Sequence, residues 1–301
     1  LNAQGESSLA IPVGKSTGIC QASALAFAKA DIQNKLDDVT PDKPEDGNSP
    51  MPLIDHPTGN YRFLPGIAPY SCGVVSVPGF EIVHVTLQRP IPYRDGFERV
   101  ARFLHDEQRP KAALCAMELR SPCPFTFQGF AEFNAEYAAI LQGWGVFVNG
   151  VNPVARTNVA PEVTPPSEPQ LYAFSYTRPA GPEATPTFVV AGAGELPEGI
   201  LDRGSIIALG DMSPSGLAVK ARFVMDLMES RLHGLEADWG LVTTADIYTI
   251  HPITDLLPEV VLRRMQPADS HGVHWHYSRP PIQEIEYEMD LRGVRVELRL
   301  H

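Results

Sequence analysis

Basic residues are in short supply in this chain. Lys and Arg number 24 against 36 Asp and Glu, a formal net charge of −12 over 301 residues. A nucleic-acid backbone is held by clustered Lys and Arg, so this balance argues against that partner. It leaves room for a small anion, because a local arginine pocket can sit on an acidic surface. Cysteine is scarce as well. Cys20, Cys72, Cys115 and Cys123 form no CxxC and match no Cys/His zinc spacing. Buried free thiols in a reducing compartment are the expectation. No apolar run reaches the ~18 residues of a membrane span. The short stretch "SALAFAKA" at 23–30 lacks the basic flank and the position of a signal peptide. A cytoplasmic protein is therefore expected.

What is present is a packed, two-part chain. At roughly 150 residues per domain the length suggests two domains, and 44% hydrophobic with 20% charged residues is ordinary for a globular protein. Residues 1–52 read as a partly irregular extension: a short helix around 22–36, then the Pro/Asp/Gly-rich run "DDVTPDKPEDGNSPMP". Residues 53–165 and 166–301 read as two domains of similar order. In the first, strands are expected on either side of Pro78-Gly79, then a helix over 94–108, a strand over 111–120 and a helix over 130–145. Phe130, Phe133, Tyr137, Ile140, Leu141 and Trp144 recur at helical spacing in the last of these. The proline-rich stretch 159–170 reads as a crossing arm. In the second part strands are expected at 171–179 and 187–196, a helix at 216–235, a strand at 241–250, a helix at 253–265, and closing strands at 273–278 and 294–300. The same order thus appears twice, at a period of roughly 110 to 120 residues, too long for a solenoid repeat. Strand-rich halves with helices between them suggest α+β units, each with its helices on one face of a sheet.

The stretch "PVARTNVAPEV", 153–163, poses the functional question. Arg156 is a permanent forked charge in a strand-like run with no carboxylate before Glu162. A planar guanidinium pairs two-pronged with a carboxylate, so either a distant acid or a bound anion is its partner. In "HGVHWHYSR", His274 and His276 share a strand face, an arrangement that two metal ligands can use. Spacing assigns no third ligand, and ordinary or hydrogen-bonding strand histidines are the simpler reading. The glycine-rich "AGAGELPEG", 191–199, lacks the strand-turn-helix setting of a dinucleotide loop and suits a bulge or a close backbone approach. No Ser/His/Asp order supports a nucleophilic triad.

Several of these motifs, in their order, resemble the Rid/YjgF family of enamine/imine deaminases. They are "TFVVAGAGELP", the Gly-Asp turn before the helix from Gly216, "LVTTADIYT", and "FAEFNAEYAAIL" followed by "NPVARTNVA". Pro153, Arg156, Thr157 and Val159 follow the family's Pro-x-Arg-Ser/Thr-x-Val strand with one extra residue between Pro and Arg. The resemblance implies two chorismate mutase-like domains over residues 70–301, each a mixed β-sheet with two helices packed on one face. It also implies a homo-oligomer built on threefold barrels and a small carboxylate substrate. Arg156 would clamp the substrate carboxylate, with Thr157, Arg279 and His276 as further substrate-binding candidates. The family's water-orienting glutamate near the chain end would be Glu297 in "VRVELRL", where Arg299 departs from the family pattern; Glu118 is the first-half alternative. The implied reaction is hydrolysis of a 2-aminomuconate-like or 2-imino carboxylate with release of ammonia. Positioning and one acid/base carboxyl suffice for it, with no metal and no cofactor. A chorismatase-like enzyme acting on a carboxylated ring, and a non-catalytic anion-binding protein, are the alternatives.

Overall fold

The computed structural model describes residues 52–301. The extension at 1–52, with its expected helix, lies outside the described residues but for its last position.

Two sheets form the frame. One has seven strands, in the order β1 (Ile54–His56), β2 (Tyr61–Leu64), β3 (Gly73–Ser76), β8 (Phe188–Gly194), β12 (Glu288–Gly293), β9 (Thr244–Tyr248) and β10 (His274–His276). The other has six, in the order β11 (Ser278–Arg279), β6 (Ala155–Pro161), β5 (Leu114–Arg120), β7 (Gln170–Pro179), β4 (Phe80–Pro92) and β13 (Glu297–Leu300). Both are mixed: β9–β10, β5–β6 and β4–β13 pair parallel within otherwise antiparallel sheets.

The inner faces of the sheets meet. Tyr61, Phe63 and Val74 from one pack with Ile82, Cys115, Ala116 and Ala155 from the other. Helices cover the outer faces. On the six-stranded sheet lie α1 (Tyr93–Asp106), through Phe97, Val100 and Leu104, and α2 (Phe127–Gly143), through Phe133, Tyr137 and Leu141. On the seven-stranded sheet lies α3 (Pro214–Gly234), which buries Leu217, Ala221, Val224, Met225, Met228 and Leu232. Side-chain caps set where helices begin. The Thr126 hydroxyl accepts from the Gly129 backbone at 3.0 Å, and Ser213 accepts from Gly216 at 3.1 Å with Pro214 behind it. The helix expected over 253–265 is instead a six-residue π-helical segment, Leu257–Leu262, with Pro258 in its first turn.

This architecture corrects the fold expectation. Two self-contained Rid/YjgF-like copies would each keep their strands in one sheet. Here β1 to β3, from the start of the described chain, extend the sheet that holds β8, β9 and β12. The stretch after β6 turns back, and β7 pairs with β5 and β4 rather than opening a new sheet. The last strand, β13, adds to β4. Strand exchange between the two halves makes one interleaved unit, so the repeated order of elements does not make a tandem of independent copies. The threefold oligomer that the resemblance implied loses its basis with it.

Candidate active site

Alternation along β6 sends Thr157 toward the opposite sheet and Arg156 and Asn158 toward α2. Arg156 is buried, at 3% exposure. Its guanidinium carbon lies 4.6 Å from the ring centre of Tyr70, 4.8 Å from Tyr137, 5.5 Å from Phe130 and 5.6 Å from Phe133. Such an aromatic box attracts a cation but accepts none of its hydrogen bonds. Nη2 donates to Asn134 Oδ1 at 2.6 Å, whereas Nη1 has no partner. Among the described residues, the other buried side-chain polar atoms without a partner are Asn134 Nδ2, Asn158 Nδ2 and the Tyr137 hydroxyl. Three are donors, and the fourth can donate. All belong to Arg156 or to residues on the same side of β6. Unmade hydrogen bonds of buried groups cost about 1–3 kcal/mol each, so an acceptor is favoured at Arg156 Nη1 and Asn158 Nδ2, the two of these groups whose residues line a cleft.

Arg156 and Asn158 of β6 line a cleft together with Gly192, Ala193 and Gly194 of β8. Its other polar walls are Glu288, Arg231, Glu198 and Cys72, and its apolar walls include Tyr70, Phe130, Ile282 and Ile285. Glu288 opens β12, whose side chains alternate. Tyr287, Met289 and Leu291 face α3, and Glu288, Asp290 and Arg292 face inward. Burial pushes the Glu288 carboxyl up to about 8; Glu195 adds to the rise, and Arg231 and Arg156 oppose it. At neutral pH Glu288 is therefore a protonated acid inside a cleft that carries two arginines.

A β-bulge brings these groups together. Ala191 and Gly192 of β8 stand opposite the single residue Asp290 of β12. The bulge turns two carbonyls toward α3, where Arg231 Nη1 donates to Ala191 at 2.8 Å and to Gly192 at 3.4 Å. A Cβ on Gly192 would overlap Glu288 Oε1, so a side chain there would displace that carboxyl. The approach to Glu288 is fixed by a fully buried ion pair. Lys220 Nζ of α3 lies 3.0 Å from Glu195 Oε1, and Glu195 accepts from the backbone of Glu286 at 2.7 Å and Tyr287 at 3.0 Å.

The other expected site residues lie elsewhere. Glu118 is half-buried between the sheets, 3.5 Å from Arg120, 3.6 Å from His84 and 3.7 Å from Arg292. Glu297 is exposed and holds Arg292 Nε at 3.1 Å. Thr157 donates to Asp290 at 2.7 Å, and burial keeps the Asp290 carboxyl well above its usual range. Arg279 pairs with Glu162 at 2.6 and 3.1 Å, outside the cleft. His276 Nε2 and His274 Nδ1 meet Asp246 Oδ1 at 2.9 and 3.1 Å. These three residues could offer a metal one atom each, yet Arg292 already holds Asp246 Oδ2 at 2.6 Å. Sequence reasoning missed Glu288, Arg231 and Glu198. Signals existed: "EIEYEMDL" alternates acid and apolar residues for eight positions, and Arg231 falls on the apolar face of its helix.

The family description "2-aminomuconate deaminase CnbZ" matches residues 53–298 as one span. A 2-amino-5-chloromuconate deaminase from Comamonas testosteroni is 43% identical over 237 residues, 78% of this chain and 94% of that protein. Among solved structures, a chorismatase aligns at 10% identity with a TM-score of 0.45, over 78% of this chain and 77% of its own. A cyanuric acid hydrolase aligns at 10% identity and a TM-score of 0.36, over 73% and 69%. The single match across both halves replaces the Rid/YjgF assignment. No helix among the described residues is long and apolar enough to cross a membrane. The chain belongs to the 2-aminomuconate deaminase family, and its activity is that of a deaminase, an enzyme that acts on a carbon–nitrogen bond.

Proposed function

We propose that the cleft between Arg156 and Glu288 is where deamination takes place, on a substrate of the 2-aminomuconate class. Such a molecule is a six-carbon dienedioate with an amino group beside one carboxylate. Its enamine needs a proton on carbon to become an electrophilic iminium, then water at the carbon that bears nitrogen. The observation that carries the reading is the set of four unpartnered polar groups around Arg156, beside a protonated Glu288.

Arg156 Nη1 and Asn158 Nδ2 receive the carboxylate next to the amino group. A negative charge placed there weakens the pull of Arg156 on Glu288 and keeps that carboxyl protonated. Glu288 gives its proton to the enamine carbon, and the resulting Glu288 carboxylate is stabilised by Arg231 and Arg156. The carboxylate then takes a proton from the attacking water as the C–O bond forms, and that proton goes to nitrogen. As the C–N bond breaks, the hydroxyl proton of the tetrahedral intermediate passes to the Glu288 carboxylate, ammonia leaves, and a 2-oxo acid remains. One water is consumed and one ammonia released, with Glu288 returned to its starting state.

The test is ammonia release from freshly generated 2-aminomuconate, with wild type, Arg156→Ala and Glu288→Gln side by side. Turnover is expected in wild type alone. Wild-type rates in the Glu288→Gln protein would remove that residue from the chemistry.

A further inference from the structure

Arg231 is a second cation on the cleft, and its setting differs from that of Arg156. Nη1 is spent on the bulge carbonyls. Nε binds Glu198 Oε1 at 2.6 Å. Glu198 belongs to the lip Leu196, Pro197, Glu198, Gly199, Ile200 and Leu201, which closes over the cleft. Its backbone neighbour Gly199 has φ +75°, and Ile200 and Leu201 are each 42% exposed. The Glu198 side chain is itself 38% exposed, whereas that of Arg231 is only 7% exposed. Among the described residues, the other side-chain hydrogen bond to Glu198 is a long one, from Cys72 Sγ at 3.5 Å. A firmly seated arginine is thus paired with a loosely seated acid from a half-exposed loop. Burying an unpaired guanidinium is expensive, so Arg231 favours a carboxylate partner both with and without a ligand.

We propose that Arg231 is a second carboxylate subsite and that Glu198 occupies it only until substrate arrives. On binding, the far carboxylate of a dicarboxylate replaces the Glu198 carboxylate on Arg231, and the lip residue swings to solvent. The exchange of one carboxylate for another leaves the charge beside Glu288 unchanged. A monocarboxylate fills Arg156 alone and leaves Glu198 in place. The inference rests on the reading of Arg156 as the first carboxylate site, and it makes the cleft selective for diacids of extended shape. Glu198 and Arg231 are specificity residues in this account, and neither exchanges a proton with substrate.

Two unreactive probes separate the subsites without any turnover. Muconate is a hexadienedioate, and sorbate is the same six-carbon diene with one carboxylate fewer. Binding of each is measured by calorimetry to wild type, Glu198→Gln and Arg231→Leu. Wild type is expected to bind muconate about fivefold more tightly than sorbate, because the pair gained on Arg231 is largely offset by the Glu198 pair given up. Glu198→Gln removes the competing charge, and muconate affinity is expected to rise about fivefold while sorbate affinity stays constant. Arg231→Leu is expected to abolish the preference for muconate. Should it not fold, Glu198→Gln decides alone. Equal affinity of wild type for the two probes, or a Glu198→Gln change that is absent or the same for both, overturns the subsite. Failure of ammonia release with the muconate preference intact overturns only the deaminase assignment of the cleft.

Discussion

Two charge-rich places flank β6, one between the sheets and one on its α2 side, and they differ in whether the charges are answered. Around Arg292, every cation has an acid: Asp246 at 2.6 Å, Glu297 at 3.1 Å and Glu118 at 3.7 Å, with Arg120 beside Glu118. Thr157 and Tyr248 donate to Asp290. Around Arg156 four buried polar groups have no partner. A closed network holds two sheets in register. An open one is finished by a ligand. Buried charge alone therefore does not distinguish a site; the unanswered hydrogen bond does.

The comparison breaks first at Glu288. Glu288→Gln is expected to lower kcat by ~10²–10⁴, the range of a lost general acid, as read by ammonia release. Next, Arg156→Ala is expected to lower kcat/KM by ~10²–10³, since a desolvated charge pair is worth about 3–4 kcal/mol. Arg156→Lys should recover part of the loss, because the charge remains while the fork is gone. A comparable loss from Glu118→Gln would erase the distinction between the two places. Instead its activity is expected to stay within about threefold of wild type, with stability reduced by about 1–3 kcal/mol in urea unfolding.

The frame around the open site has its own test. Lys220→Met strands the Glu195 carboxylate in a fully buried position, and a loss of about 3–5 kcal/mol is expected in urea unfolding. At the small end, Arg279→Ala breaks a partly exposed pair with Glu162 and should cost at most about 1 kcal/mol, with turnover unchanged.

The pH dependence sharpens the contrast. The Glu288 carboxyl has its ordinary value near 4.5 in the unfolded chain and about 8 in the folded one. A raised value favours the folded state fully below pH 4.5, and that stability drains away as pH climbs to about 8. Glu288→Gln removes the drain. Its melting temperature is expected to exceed that of wild type at pH 8 and to match it near pH 4. In wild type, kcat/KM should fall above about pH 8 as the acid form is lost.

Most elements could be read from the chain because their patterns are local. The helical spacing of Phe130, Phe133 and Tyr137, and the alternation in the strands around Arg156, depend only on neighbours a few positions away. The caps Thr126 and Ser213 moved the starts by two or three residues. Proline at 258 turned an expected helix into a π-helical segment. The candidate anion site was half legible. Arg156 stood out because nothing acidic lies near it in sequence. Its acid partner in the chemistry was sought at Glu297, which follows a family pattern in part, and at Glu118, a substitute where the first half shows no family equivalent. Both turned out to be engaged by Arg292.

Composition and periodicity by themselves determined that this is a globular α+β chain with an acidic surface and one conspicuous arginine. Tertiary structure alone decided that the two halves exchange strands and that a bulge at Ala191–Gly192 sets Arg231 beside Glu288. It also decided which carboxylates are answered and which stay free. The reason is separation along the chain. Arg156 and Glu288 lie on different sheets, 132 positions apart in sequence, and a carboxyl's proton affinity is set by burial and by charges that only the fold brings near.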